Sequence, residues 1–421
     1  MRQPVYKSRP VAPNPARFGD CERINDFIVR SAGFSDCFLI ETREGNVQIN
    51  AGMGIESPVV ASNLESLAGE NSGQATTHLI LTQGHVDHVG GVAFFRERHP
   101  GLQVIAGAEN AEHQAYDARL APYRAQRSAF AFTDKFIKAF EHYAEHGLTE
   151  FPEQDSPRPD ILVDERHAFE VGGIKIEVIC VAGAETNDSV IVWLPEHRIC
   201  FTGNLFGCPF GHFPNLVTIR GDRYRDPLVV ANAVQTVKAL NPELICYGHH
   251  GPVEGAELIQ QELDALHGAI MHVHDEVVDG MNSGKSLDEL MRTVSLPEAL
   301  EVGEGYGKVS WGVRAIWELY SGWFHHRSTT ELFPGDRSTV SDELYTLAGG
   351  EQPLLERAGE LTQQGELQKA LHLLDIIRQA GGASKKTNAL YIEIHETLLA
   401  KSSNFWLSAW LSNQIKLAND G

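Results

Sequence analysis

The sequence predicts a layered α/β domain followed by an all-α region. Three observations predict it. Short apolar runs bounded by Gly, Pro and Asn alternate with helix-like stretches as far as residue 254 or so. Beyond that point the strand signal stops and only amphipathic helical spacing remains. The chain has 421 residues, more than one hydrophobic core usually serves, so two domains are expected.

The elements follow in order. The N-terminal arm, 1–26, is polar and spotted with proline. Residues 34–40 and 46–54 read as a two-stranded hairpin ending in a Gly-rich turn. A helix is expected at 58–67, a strand at 77–81, a helix at 92–99 and a strand at 103–107. Residues 108–160 then change character, mixing aromatic residues with many charges at partly helical spacing and closing on a proline-rich loop. That stretch is a helical insertion, either an ordinary packing unit or a cap over a site. Strands resume at 167–171, 174–179, 189–194 and 198–202, followed by a helix at 227–240 and a strand at 244–247. The rest is helical: 258–279, 287–293, 308–320, 354–364, 367–380, 388–399 and a last helix from about Asn404. The boundaries expected are 1–291 for the first domain, with 108–160 as its insertion, and 292–421 for the second.

Composition excludes some functions. Hydrophobic residues make up 42% and charged residues 22%, an ordinary globular balance. The net charge of −21 repels nucleic acid and anionic membrane surfaces, so neither is an expected partner. The six cysteines include no CxxC pair, and they read as reduced, buried thiols. The first 26 residues lack an apolar leader core, and no run of about 18 apolar residues occurs, so a cytoplasmic protein is expected.

The chemistry gathers in loops that follow strands. Thr82-Gln83-Gly84-His85-Val86-Asp87-His88 places two imidazoles and a carboxylate within four residues. Later loops offer Glu185, Asn204, and the pair His249 and His250. Imidazole nitrogen and carboxylate oxygen suit a borderline ion such as zinc. Such an ion lowers the pKa of its water to roughly 7, which provides a nucleophile at neutral pH.

These residues resemble the metallo-β-lactamase superfamily: an HxHxDH-type loop followed by Gly90-Gly91, then a late Gly-His-His-Gly-Pro. Asn50 stands where that superfamily usually has Asp. The second half is similar to the alkylsulfatase branch. Gly183-Ala184-Glu185 resembles its PGTE segment, and Thr218-Ile219-Arg220-Gly221 with Arg225-Asp226 resembles its TLRG…RD segment. Tyr306-Gly307-Lys308-Val309-Ser310 and Tyr320-Ser321-Gly322-Trp323-Phe324 resemble the start of its helical dimerisation domain. The resemblance implies an αββα sandwich followed by an all-α dimerisation domain, and a homodimer.

It also implies two metal positions, with departures in one of them. Asp87, His88 and His249 fill one set, with Glu185 beside them as a further ligand or steering group. The other set reads Gln83, His85 and Asn204. A neutral amide oxygen is a weaker zinc ligand than imidazole or carboxylate, so the expectation is one firmly bound ion and a second that is weak or absent. Iron or manganese in place of zinc stays open. Gln83, Asn204 and His250 are then weak ligands or substrate contacts.

Arg220 is a candidate for holding an anionic substrate group, and equally a partner for Asp222 or Asp226. His212 and Tyr320 are the other candidate substrate contacts. The function expected is a metal-dependent hydrolase acting on an ester-type bond of a small molecule that is anionic or carries an apolar tail. Asp87 and Glu185 are its candidate catalytic residues. A lactonase, carboxylic esterase or thioesterase on the same scaffold is the near alternative, and a non-catalytic dimeric binding protein the distant one.

Overall fold

The computed structural model describes residues 3–69, 74–335 and 337–420. It divides into two compact units, Met1–Leu319 and Tyr320–Gly421.

The first unit holds two sheets. The seven-stranded sheet runs in chain order: β1 (Cys21–Asn25), β2 (Ile28–Ser31), β3 (Cys37–Ile40), β4 (Asn46–Ile49), β5 (Thr76–Ile80), β6 (Gln103–Gly107) and β7 (Ile161–Val163). Its first four strands are antiparallel, and the pairings from β4 to β7 are parallel. The parallel half needs crossovers, which α1 (Ser57–Ser66), α2 (Val86–Val89), α3 (Val92–Arg98) and α4 (Asn110–Glu145) supply. The six-stranded sheet contains β8 (Arg166–Val171), β9 (Ile174–Cys180), β10 (Val190–Leu194), β11 (Ile199–Gly203), β12 (Leu244–Tyr247) and β13 (Val253–Glu254). Helix α5 (Pro227–Leu240) crosses from β11 to its parallel neighbour β12, and α6 (Ala256–Asn282) follows. Asp226 caps α5, accepting from the Leu228 amide, and Pro227 sits at the first helical position, where its missing N–H costs nothing.

Three apolar layers make this an αββα sandwich. Between the sheets, Phe38, Ile49 and Ile80 meet Val178, Val190 and Phe201. Outside the first sheet, Val60, Leu64 and Phe95 pack on Leu79 and Val104. Outside the second, Val234 and Val237 of α5 and Leu263 of α6 cover Ile191 and Ile245. Strand β10 is buried along its whole length because helices and the other sheet cover both faces, which is why it reads as a continuous apolar run.

Two features depart from the sequence reading. The N-terminal arm includes β1, a partly exposed strand too polar to give a strand pattern. The insertion expected at 108–160 is one 36-residue helix, α4, which continues through Pro122. Judged by packing, the first compact unit runs to Leu319. Leu287 and Leu290 of α7 (Leu287–Thr293), and Val313 and Ile316 of α8 (Val309–Ser321), join the apolar cluster of α5 and α6.

The second unit is helical, with α9 (Ser341–Leu347), α10 (Glu351–Gln363), α11 (Leu367–Gln379), α12 (Lys385–Ala400) and α13 (Phe405–Asp420). Its core includes Leu361, Ala370, Leu374 and Ile394. No helix among the described residues is long and apolar enough to cross a membrane.

Candidate metal centre

Loops at the C-terminal ends of β4, β5, β11 and β12 converge on one point. Close backbone approach makes this possible. A Cβ on Gly203 would lie 2.6 Å from the Thr82 hydroxyl, and Gly203 has φ +56°. A Cβ on Gly248 would meet the Gly203 carbonyl carbon at 2.7 Å. Glycine at both positions lets the ends of β11 and β12 close on the loop after β5.

Asp87, His88 and His249 each offer one ligand atom, and these atoms all lie within 4.8 Å of one another. His88 Nε2 is 3.6 Å from Asp87 Oδ2. Thr82 aims the His88 ring. Its amide and hydroxyl both donate to Asn50 Oδ1 at 3.0 Å, and its oxygen lies 3.2 Å from His88 Nδ1. With the threonine proton committed to Asn50, His88 donates from Nδ1 and keeps a lone pair on Nε2. Asp36 fixes the late histidine loop: its carboxylate accepts from the Gly251 amide at 2.9 Å and from Arg30 Nε at 2.7 Å. His88 Nε2 and His249 Nδ1 are buried without a hydrogen-bond partner. Two orphaned imidazole nitrogens facing a carboxylate suit a divalent ion of the zinc type. Burial lowers His88 to about 3 and His249 to about 4, so both are neutral and able to ligate.

The remaining expected residues fall into different surroundings. Glu185 lines the same cavity, but its carboxylate pairs with Arg225 at 2.9 Å, and its carbonyl accepts from Arg225 Nε at 2.7 Å. Burial lifts it to about 7 in spite of that arginine. The Gln83 amide lies 2.6 Å from His85 Nδ1. His85 Nε2 is 3.8 Å from Asp222 Oδ2. Asn204 lines the cavity with its Oδ1 buried and unpartnered. Arg220 also lines it, Nε without a partner; against the cost of burial, Tyr306 and then the acids Asp222, Asp87 and Asp117 raise its pKa. The expected pairing of Arg220 with Asp222 or Asp226 is not made within 4 Å.

Three candidates stand away from the cavity lining. His212 accepts from the Gly305 amide at Nδ1 (2.8 Å) and meets the Tyr6 ring edge-on, so it ties a loop down rather than touching a substrate. His250 turns aside because its backbone is left-handed (φ +62°), and its carbonyl accepts from Arg9. Tyr320 opens the second unit and is half exposed, whereas every lining residue belongs to the first.

The cavity measures about 720 Å³. The metal-type cluster and Arg220 form its polar end. Its long wall is α4, which turns Ala118, Ala121, Ala125, Ala129, Phe132 and Phe136 toward it; Phe34, packed on Phe132 and Phe136, and Met53 also line it. Helix α4 is tied down near its start by Asn110 to Asp188 (2.7 Å) and His113 to Asn187 (2.8 Å), and near its end by Tyr143 to the Ala16 carbonyl (2.9 Å). Arg124, on the same helix, pairs with both Asp117 and Asp222. Sequence reasoning assigned no role to Arg124 or His113, named Asp222 only as an alternative partner of Arg220, and held Tyr306 only as part of a quoted segment. Arg225 was visible only as part of a quoted segment.

An αββα sandwich with histidines and carboxylates gathered at one edge of its sheets defines a class of metal-site folds. The chain belongs to the metallo-beta-lactamase superfamily, whose match covers residues 30–249; residues 286–420 match alkyl sulfatase dimerisation. A linear primary-alkylsulfatase of Pseudomonas sp. is 26% identical over 349 residues, covering 80% of this chain and 65% of that protein. The alkyl/aryl-sulfatase BDS1 of Saccharomyces cerevisiae is 21% identical over 356 residues, 80% of this chain and 54% of that one. The solved structure of the stereoselective inverting sec-alkylsulfatase Pisa1 from Pseudomonas sp. shares the fold with a TM-score of 0.80 at 19% identity, covering 94% of this chain and 65% of that one. The chain thus spans between about half and two thirds of the length of these relatives.

Proposed function

We propose that the protein is a metal-dependent hydrolase of ester-type bonds, acting on an alkyl sulfate or a closely similar amphiphilic ester. The observation that carries this reading is the cluster of Asp87, His88 and His249 at the polar end of a cavity whose long wall is apolar. Those three side chains would hold one divalent ion, zinc by the chemistry of the set, which supplies Lewis acidity and an activated water. Arg220 holds the anionic head by a bidentate fork. The alanine and phenylalanine face of α4 receives the tail and excludes water from the polar end. Glu185, held in place by Arg225, is near enough to neutral pH to take up the proton that the attacking water releases.

The second unit pairs two copies of the chain. Its match to alkyl sulfatase dimerisation supports this, as do Trp323, Phe333 and Leu347, which are 70%, 64% and 83% exposed. All six cysteines are free thiols, in keeping with a reducing, cytoplasmic setting.

The test uses metal-free protein reloaded with zinc, manganese or iron and offered alkyl sulfates, lactones and thioesters. Sulfate release from an alkyl sulfate, abolished in Asp87→Ala, is the expected result. Turnover of a lactone or thioester instead would reassign the substrate, and a protein that binds no metal would be a binding module.

A further inference from the structure

Arg220 reaches the cavity from a stretch with little structure of its own. Residues 213–226 contain no helix or strand. Inside the stretch, the Gly221 amide donates to the Thr218 carbonyl at 3.0 Å and the Arg225 amide to the Leu216 carbonyl at 2.9 Å. The Arg220 Nε is buried without a partner. The backbone of the loop therefore has to set where the guanidinium points, and that backbone needs support from outside.

Helix α4 supplies it. Arg127 Nε donates to the Arg220 carbonyl at 3.0 Å, and Arg127 Nη2 donates to the Ile219 carbonyl at 2.6 Å. Two adjacent carbonyls are thus held by one rigid fork, which a lysine could not match. The fork lies 5.4 Å from the centroid of the Tyr123 ring, one turn earlier on the helix. A Cβ on Gly221, which has φ +88°, would lie 3.8 Å from both Arg127 Nε and Tyr123 Cε1. Further along the loop, Arg124 Nη2 holds Asp222 Oδ1 at 3.0 Å, and Arg223 reaches back to Glu112 at 3.0 Å across the Tyr116 ring. Neither Tyr123 nor Arg127 lines the cavity, so their part is played through the loop. The helix has two working faces. Ala118, Ala121, Ala125 and Ala129 recur at helical spacing toward the cavity, and Tyr116, Tyr123 and Arg127 recur at helical spacing toward the loop.

We propose that Arg127 is a positioning residue for the anionic head of the substrate. By holding the Ile219 and Arg220 carbonyls it fixes the direction of the Arg220 guanidinium, so the helix that receives the tail also sets the head site. This rests on the reading of Arg220 as the group that holds the head.

The experiment uses the zinc-loaded full-length chain. Calorimetry measures its affinity for inorganic sulfate, which fills only the head site, and for 1-octanol, which fills only the apolar limb. Steady-state kinetics with an alkyl sulfate runs alongside. In Arg127→Ala, KM rises about tenfold with kcat within about twofold, sulfate affinity falls about tenfold, and 1-octanol affinity stays within about twofold. Zinc uptake is unchanged, because Arg127 touches no candidate ligand. The deficit persists in about 1 M NaCl, where a Debye length of about 3 Å screens the loss of a distant charge. Arg127→Lys recovers only part of it. Equal losses of sulfate and 1-octanol affinity would make Arg127 a prop for α4 and overturn the proposal. So would a deficit that vanishes in salt, or full recovery in Arg127→Lys, since charge alone would then explain it. Arg220→Ala separates the two readings. Unchanged sulfate affinity in that variant, or no sulfate binding and no turnover in the wild type, overturns the head-site reading itself. A loss in Arg220→Ala without one in Arg127→Ala overturns only the positioning role.

Discussion

His88 is aimed by side chains that lie outside any ligand list. The Asn50 amide oxygen takes two hydrogens from Thr82, and Thr82 then accepts from the imidazole. Thr82→Val keeps the shape and removes the acceptor, so zinc affinity should fall 10–100-fold in chelator competition with the fold unchanged. An unaltered affinity would show that the ring needs no such guide. His212 makes a second prediction. Burial holds it at about 4, below the ordinary imidazole value, and its Nδ1 must stay unprotonated to accept from Gly305. Because the unfolded chain binds that proton more readily, the contribution is present above pH 6.5 and is lost as pH falls toward 4, with an upper limit of roughly 3 kcal/mol. His212→Asn retains an acceptor but cannot titrate, so its thermal midpoint should fall less steeply than the wild type's over that range. Parallel pH profiles would refute this. Asp87 and His88 were legible in the sequence because they are adjacent and follow a strand. His249 was legible because the same pattern recurs. Asp222 was not, since its relation to His85 depends on how the 218–225 loop folds back.

Helix α4 is the element that sets the width of the cavity. Its two ends are tied down by hydrogen bonds, and its middle contributes small side chains that are exposed yet face the cavity. Ala125→Trp should therefore cost little stability, within about 0.5 kcal/mol, because nothing packs there. It should lower kcat/KM for long-chain substrates by about tenfold or more while leaving short-chain ones less affected. Equal losses across chain lengths would show that the apolar limb does not hold the tail. The sequence marked this stretch as an insertion but did not reveal a single helix, since Pro122 reads as a break. The helix nonetheless continues through Pro122, which is exposed. The opposite failure occurred at β1. Its residues are half solvated, so they carry no apolar alternation, yet they pair with β2 in regular register apart from one bulge.

For the whole molecule, metal and assembly should be separable. All the candidate ligands lie in the first unit, whereas the dimerisation match lies mostly in the second. Light scattering on the intact chain should report two copies both before and after chelation. Zinc at a thousandfold above its dissociation constant should raise the stability of the first unit by about 4 kcal/mol, and chelation should remove that gain. Dissociation on chelation would tie the two units together. The layered domain and the helical tail were legible from periodicity alone. Where the compact units divide depends on packing, since α7 and α8 look like the helices that follow them but join the apolar cluster of α5 and α6.

The seven-stranded sheet has the same order in space as in the chain. Seen as a sequence of events during synthesis, that order means each strand finds its neighbour soon after it emerges, and the first sheet can assemble while the second is still being made. Asp87 and His88 are then in place long before His249 exists. The ion can be captured with all three ligands only once β12 has docked. A chain cut short before that point would carry two of the three ligands on a complete sheet, so tight zinc retention should require that translation has passed residue 249.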